Sequence, residues 1–341
     1  MDAVTGATLT VVDVAHGSCV IVQTSTRAAA VDAGPGNGAL LSYLTEQRIP
    51  ALDYVLLSHA DDDHVQGLVA VLASGVAPVR EVRVNSDSTK GRRWASLMHE
   101  VERATGSREI ETFLPSLTRP TAFDLGDGVT LEVLAPGPAQ SATGPSGLSH
   151  DGERPTSNSL SAVVLVQVEG QPAALLPGDL DSAGFEILIA YPGIIDRLQA
   201  PLLVFPHHGG HSSPTATASS DERFAEKLIS VVCPEVVLFS LGRRQHGTPR
   251  PAIVRGIRRA APGVRIGCTQ LSEHCATEDP PGEPQHLSTV FAQGREAGRC
   301  CTGTVTVPLV PAGTEVPAPG VGPHLGFICA SAPRALCQVA P

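Results

Sequence analysis

Several shortages bound what this chain can be. Aromatic residues fill only 4% of its 341 positions, so any core must be packed from aliphatic side chains. No run of about 18 apolar residues occurs, and no membrane-spanning helix is expected. Positive charge is scarce: 24 Lys and Arg stand against 34 Asp and Glu, a formal net charge of −10. Proteins that grip nucleic acid over a whole surface are basic, so an anionic substrate here has to be attracted locally. The opening MDAVTGATLTVVDV has neither the basic nor the apolar segment of a signal peptide, and a cytoplasmic setting is the expectation. In a reducing compartment disulfides are unexpected, so the eight cysteines need another explanation.

What is abundant is aliphatic, Gly and Pro sequence, with 42% hydrophobic residues, 34 Gly and 29 Pro. That composition fits many short strands joined by turns. TLTVVDV (8–14), CVIVQT (19–24) and AAAVDAGPG (28–36) read as a meander. Strands and helices then alternate: a helix over 37–48 capped by Asn37, a buried strand ALDYVLLS (51–58), a helix over 64–74, a strand REVRVN and a helix over 92–105. A second, similar half follows from 108 to 260, interrupted by a polar loop at 137–157. Two such halves predict an α/β protein with sheets packed face to face and helices outside. From about 263 the texture changes to Cys, His and Pro. The expected division is therefore a domain over 1–262 and a Cys/His-rich C-terminal extension over 263–341.

The densest chemistry lies in LLSHADDDHVQGL, residues 56–68, with His59, Asp61, Asp62, Asp63 and His64 within six positions. One acid at a strand–helix junction commonly caps the helix, the reading preferred for Asp62. A cap does not need three acids and two histidines. Imidazole and carboxylate are the ligands of Zn²⁺, Mn²⁺ or Fe, and a divalent cation is the partner that offsets this density of buried polar groups. Two further strand ends carry ligand types: LLPGDL (175–180) with Asp179, and LLVFPHHGGHSS (202–213) with His207 and His208. A lone Gly-Asp after a strand is mostly a turn; a strand ending in His-His-Gly is much rarer.

The order H-x-D-x-D-H, then G-D, then P-H-H-G resembles the metallo-β-lactamase superfamily, most closely the soluble hydrolase domain of ComEC-type competence proteins. VVDVAHGSCVIVQTSTRAAAVDAGPG, with its turn at Asp32, and SNSLSAVVLV add to the resemblance, which spans about residues 7–262. It implies a four-layer αβ/βα sandwich with two divalent metal ions, Zn or Mn, at one edge. Carried over residue by residue, His59 and Asp61 would serve the first ion, Asp63 and His64 the second, and Asp179 would bridge them. His207 or His208 would complete the second site, with the other facing substrate or core; His208 is favoured as ligand and His207 for catalysis. Relatives place a further His on the first ion, where this chain offers only Asn158, with His150 in the loop, so the first ion is expected to be the looser one. The family's Gly-His-Pro element reads SLGRRQHGTPRP (240–251) here. Thr248 replaces its His, and His246 stands two residues earlier as a substitute.

The resemblance implies metal-dependent hydrolysis, with phosphodiester bonds, in nucleic acid or a small molecule, as the expected target. Arg243 and Arg244 would clamp the phosphate, Asn158 would contact substrate, and His207 or His246 would protonate the leaving oxygen. The alternatives are a thioester, lactone or amide substrate at the same site, or a binding protein with a degenerate site; no protein partner is specified. TKGRRWASLMHEVERATGSR (89–108) could guide a strand through charge and Trp94, although such a helix more often buries its Trp. In the tail, CTQLSEHC and RCC bracket a loop, and Cys268, Cys275, Cys300 and Cys301 are candidates for one structural zinc, with buried reduced thiols and, third, disulfides as the competing readings. Cys19 and Cys233 are expected to be plain core residues.

Overall fold

Alternation along the strands decides the layering. In a strand successive side chains face opposite ways. Leu9, Val11, Val20, Val22, Ala29, Val31 and Leu56 point to one face of their sheet, while Ile21, Ala28, Ala30, Val55 and Leu57 point to the other. Both faces are apolar, so both must be covered. The computed structural model, which describes residues 6–85, 91–145, 147, 154–280, 284–316, 321–332 and 334–338, shows how.

The strands in chain order are β1 (Thr8–Val11), β2 (Val20–Gln23), β3 (Ala28–Val31), β4 (Leu52–Leu57), β5 (Val79–Val84), β6 (Ile110–Leu114), β7 (Thr121–Gly126), β8 (Val129–Ala135), β9 (Val163–Val168), β10 (Gln171–Leu176), β11 (Leu202–Val204), β12 (Val236–Phe239), β13 (Arg265–Cys268) and β14 (Val305–Pro308). The helices are α1 (Ala39–Glu46), α2 (Asp62–Ser74), α3 (Arg92–Gly106), α4 (Pro138–Thr143), α5 (Ser182–Ile189), α6 (Ala218–Val232), α7 (Pro251–Ala260) and α8 (Val321–Ser331). Two seven-stranded sheets form, in the orders β14-β1-β2-β3-β4-β5-β6 and β13-β12-β11-β10-β9-β8-β7. Each has a parallel half, β3 to β6 and β10 to β13, and an antiparallel half.

Three apolar layers follow. One joins α1, α2 and α3 to the first sheet, the middle one joins the sheets, and the third joins the second sheet to α5, α6 and α7. This is the four-layer αβ/βα sandwich expected from the sequence. Trp94, Leu97 and Val101 sit on the buried face of α3, so Trp94 is a packing residue rather than a platform for bases.

The segment beyond 262 is built into the sandwich. β13 extends the second sheet beside β12, β14 extends the first beside β1, and α8 packs on the third layer through Ile328 and Ala332. Helical periodicity is absent from the tail sequence, so α8 was not legible there; β7, β13 and β14 are short edge strands of four to six residues. Among the described residues, no helix is long and apolar enough to cross a membrane.

Candidate metal centre

Parallel strands deliver their C-terminal ends to one edge, where α/β proteins gather functional groups. β1 runs parallel to β3 because both are antiparallel to β2. The turns after β1, β3 and β4 therefore lie together, and they meet those after β10, β11 and β12 of the opposite sheet. Ser240 Oγ, beyond β12, donates to the Gly17 carbonyl, beyond β1, at 2.7 Å. Gly17 is required there: its φ is 135°, and a Cβ would lie 2.3 Å from the Asp63 carbonyl oxygen. Gly178, at φ 57°, is likewise fixed, since a Cβ would lie 2.3 Å from Ser161 Oγ and 2.7 Å from Ser58 Oγ.

Hydrogen bonds set the proton positions on the histidines. Asp32 is buried behind β4 and accepts from the Ser58 N–H at 2.8 Å and from Ser58 Oγ at 2.9 Å. With its proton given to Asp32, Ser58 Oγ accepts from His59 Nδ1 at 3.0 Å. His64 Nδ1 donates to Asp32 Oδ2 at 2.8 Å. His208 Nδ1 donates to the Ser240 carbonyl at 2.8 Å, and His207 Nδ1 to the His211 carbonyl at 3.0 Å. A carbonyl or carboxylate can only accept, so each ring keeps its proton on Nδ1 and turns the Nε2 lone pair inward.

Those lone pairs converge on carboxylates. His64 Nε2 is 3.1 Å and His208 Nε2 3.6 Å from Asp179 Oδ1, while His59 Nε2 is 3.8 Å and His207 Nε2 3.9 Å from Asp179 Oδ2. Asp179 thus stands between two groups of donors. Asp61 Oδ2 lies 3.5 Å from His59 Nε2. Asp63 Oδ2 lies 3.3 Å from His208, 3.4 Å from His16 and 4.0 Å from His64. Two triads place their ligand atoms within 4.8 Å of one another: His59, His64 and Asp179; and His16, Asp63 and His208. His59 Nε2, His64 Nε2, His208 Nε2 and Asp179 Oδ1 are buried without any hydrogen-bond partner. Acceptors facing acceptors in a buried site repel unless a cation or protons intervene, so the donor set fits a divalent metal.

Without a cation, protons take that role. Burial opposes a charged His64, but the Asp179, Asp32 and Asp63 carboxylates outweigh it and raise its pKa well above the usual value. Burial likewise opposes a charged His208, and Asp179 and Asp63 raise it. Burial resists ionisation of Asp179 and Asp63, yet the facing imidazoles hold both below the ordinary carboxylate range. His16 behaves differently: burial and the adjacent His208 lower it to about 4.

His59, Asp61, Asp63, His64, Asp179, His207 and His208 are therefore brought together. His207 and His208 both have positive φ, 51° and 55°, which splays their rings to different sides of Asp179. His246 is exposed and reaches the edge of the centre through the His16 ring, at 4.3 Å between centroids. Arg244 is exposed and ion-paired to Asp279 at 3.4 Å. Asn158 lies in a turn before β9, its carbonyl accepting from Ser161 N–H. His150 lies outside the described residues.

Several expectations are corrected. Arg243 does not line the site: it is buried and its guanidinium is consumed by Asp279 and by the carbonyls of Leu271, Ala276 and Glu278. Asp62 caps nothing; it is an exposed first-turn residue paired to Arg93 at 3.2 Å, and Asp61 holds the cap position. Thr248, where the family pattern has its His, is buried with Oγ1 unpaired. Of the four tail cysteines, Cys268, Cys275 and Cys301 share one cluster and Cys300 stands apart. Cys300 Sγ donates to Asp13 at 3.5 Å, while Cys301 Sγ faces His324 at 3.3 Å, because neighbouring residues at the bridge to Gln270 point opposite ways. Cys268, Cys275 and Cys301 pack in the apolar third layer, where burial pushes their thiols up. All eight cysteines are free; Cys19 is core, but Cys233 is exposed at the end of α6.

Sequence reasoning missed His16, a solitary histidine in a turn after β1. Its only signal is position: β1 ends at the same sheet edge as β4. It also missed Ser58 and Ser240, which orient the ligand rings.

The fold is a four-layer αβ/βα sandwich, and the donor set at its edge fits divalent metal. The family model described as Metallo-beta-lactamase superfamily matches residues 12–154. The match spans less than half of the chain, and the four-layer architecture around it is that of the metallo-beta-lactamase fold. Similar solved structures include the metallo-beta-lactamase fold protein YhfI from Bacillus subtilis, at 13% identity over 76% of this chain and 96% of that one, with a TM-score of 0.48. Igni18, a metallo hydrolase from Ignicoccus hospitalis, matches at 15% identity over 78% and 97%, with a TM-score of 0.43. A diphosphatase from the PhnP family matches at 13% identity over 76% and 94%, also at 0.43. No curated protein matches the chain.

Proposed function

We propose that the protein is a binuclear metal-dependent phosphodiesterase, holding two Zn²⁺ or Mn²⁺ ions and, in its motif order, resembling the ComEC-type hydrolase domain. The observation that carries this reading is the set of partnerless buried atoms, His59 Nε2, His64 Nε2, His208 Nε2 and Asp179 Oδ1, aimed at one another across the sheet edge. Bound divalent ions supply Lewis acidity and an acidified water at neutral pH.

The chain's own groups do the rest. Asp32, through Ser58 and His64, keeps two ligand rings in the Nδ1–H form. Asp179 is shared between donors from both sheets. His207 differs from His208 in exposure: its side chain is 36% accessible, against 3%. With Nδ1–H committed to the His211 carbonyl, His207 Nε2 lies 3.9 Å from Asp179 Oδ2; in its doubly protonated form the ring can hand the Nε2 proton to a departing alkoxide. The surrounding loops carry imidazole and guanidinium groups: His246, Arg244, and the pair His211 and Arg250, which share the buried Asp221.

The test is turnover of a chromogenic phosphodiester by metal-reconstituted protein, run beside lactone, thioester and amide substrates. Metal-dependent phosphodiester cleavage with little turnover of the others is expected. The reverse preference removes the phosphodiester assignment while keeping the hydrolase, and no turnover of any substrate by a two-metal protein favours a binding role.

A further inference from the structure

The first ion, as the resemblance assigns it, is short of a ligand, since Asn158 stands where relatives place a histidine. The donor atoms are nevertheless not short in number; they are distributed differently. His64 Nε2 sits 3.1 Å from Asp179 Oδ1 but 4.0 Å from Asp63 Oδ2, so it groups with His59 and Asp179. The place it leaves beside Asp63 is filled from the turn after β1, by His16.

Resting on the binuclear reading above, we propose that His16 is a ligand of the second metal ion, and that its presence frees His64 for the first. Each ion then keeps three protein donors, His59, His64 and Asp179 for one and His16, Asp63 and His208 for the other, with Asp179 also shared toward the second, 3.6 Å from His208 Nε2. The spacing supports this. Donors at about 2.0–2.2 Å around a tetrahedral zinc lie about 3.3–3.5 Å apart. Asp63 Oδ2 is 3.4 Å from His16 Nε2 and 3.3 Å from His208 Nε2.

His16 is also held in place by its surroundings. Its backbone N–H donates to Gln245 Oε1 at 3.1 Å, and its ring lies against those of His208 and His246, at centroid distances of 4.6 and 4.3 Å. Gly17 lets the turn press against the Asp63 carbonyl. One feature sets His16 apart: its Nδ1 is buried without a partner, whereas His59, His64 and His208 each anchor Nδ1. Outer hydrogen bonds of that kind are worth about 10–100-fold in metal affinity. The second ion is therefore the more weakly held, contrary to the expectation from Asn158.

Stepwise titration of the metal-free full chain with Co²⁺, followed by calorimetry and visible absorption, tests this. Wild type should bind two ions in two steps. His16→Gln, and His16→Phe, which keeps a ring against His208 and His246, should weaken the second step at least tenfold and leave the first within about twofold. Asp32→Asn should do the converse. Two steps unchanged in both His16 variants, or loss of the tight step instead, would overturn the assignment and leave the binuclear reading intact. A wild-type chain that binds fewer than two ions would overturn both. Thermal unfolding of the metal-free variants, expected within a few degrees of wild type, separates ligand loss from misfolding; a variant that binds normally only after its fold is rescued at lower temperature also counts against His16 as a ligand.

Discussion

Residues 59–64 and 268–301 both gather metal-binding side-chain types, and they end up in opposite conditions. The first gathers at a sheet edge with its ligand atoms unpartnered and facing one another. The second dissolves into packing: Cys268, Cys275 and Cys301 join an apolar layer, and Cys300 turns to Asp13. Ligand-type density alone does not make a site. What separates the regions is the direction in which each backbone aims its side chains and whether buried polar atoms are left without partners.

The sharpest way to break this contrast is at Asp179, the carboxylate shared by donors from both sheets. Asp179→Ala should lower phosphodiester turnover by at least about 1,000-fold, read by steady-state kinetics, since a shared ligand serves both ions. Asp32→Asn touches neither carboxylate of the triads, yet it removes the acceptor that fixes His64 and Ser58. Metal affinity should fall about 10–100-fold, measured by competition with a chelator.

On the other side of the comparison, Cys268→Ala and Cys301→Ala should leave metal content and turnover unchanged. Each should reduce stability by about 1 kcal/mol through lost packing, read as a shift of the denaturant midpoint at constant slope. The smallest effect is expected at His324. Burial, then the neighbouring His286, lowers its pKa to about 4. The unfolded chain, with His near 6.5, binds more protons between those values, so this contribution is fully present above about pH 6.5 and is lost as pH falls toward 4. His324→Gln should flatten the fall of Tm over that window by a few degrees.

The sequence made the layers and most of the centre legible because both are written locally. Strand alternation and helix periodicity are properties of neighbouring residues, and His59 through His64 sit in one junction. Asp179, His207 and His208 were legible because each follows a strongly apolar strand. His16 was not: nothing beside it in sequence is a ligand, and only the pairing of β1, β2 and β3 carries it to the edge. Arg243 was misread for the converse reason. Its neighbours, Arg244 and His246, lie at the rim, while its partners Leu271, Ala276, Glu278 and Asp279 come from the tail.

The central claim is that donors from both sheets converge to hold a pair of cations. Metal content of the purified, reconstituted full chain, measured by mass spectrometry under native conditions, tests it most directly. The account predicts two divalent ions per chain, both lost in Asp179→Ala and both retained in the cysteine variants. Fewer than two ions in the wild type, or two that survive loss of Asp179, would contradict it.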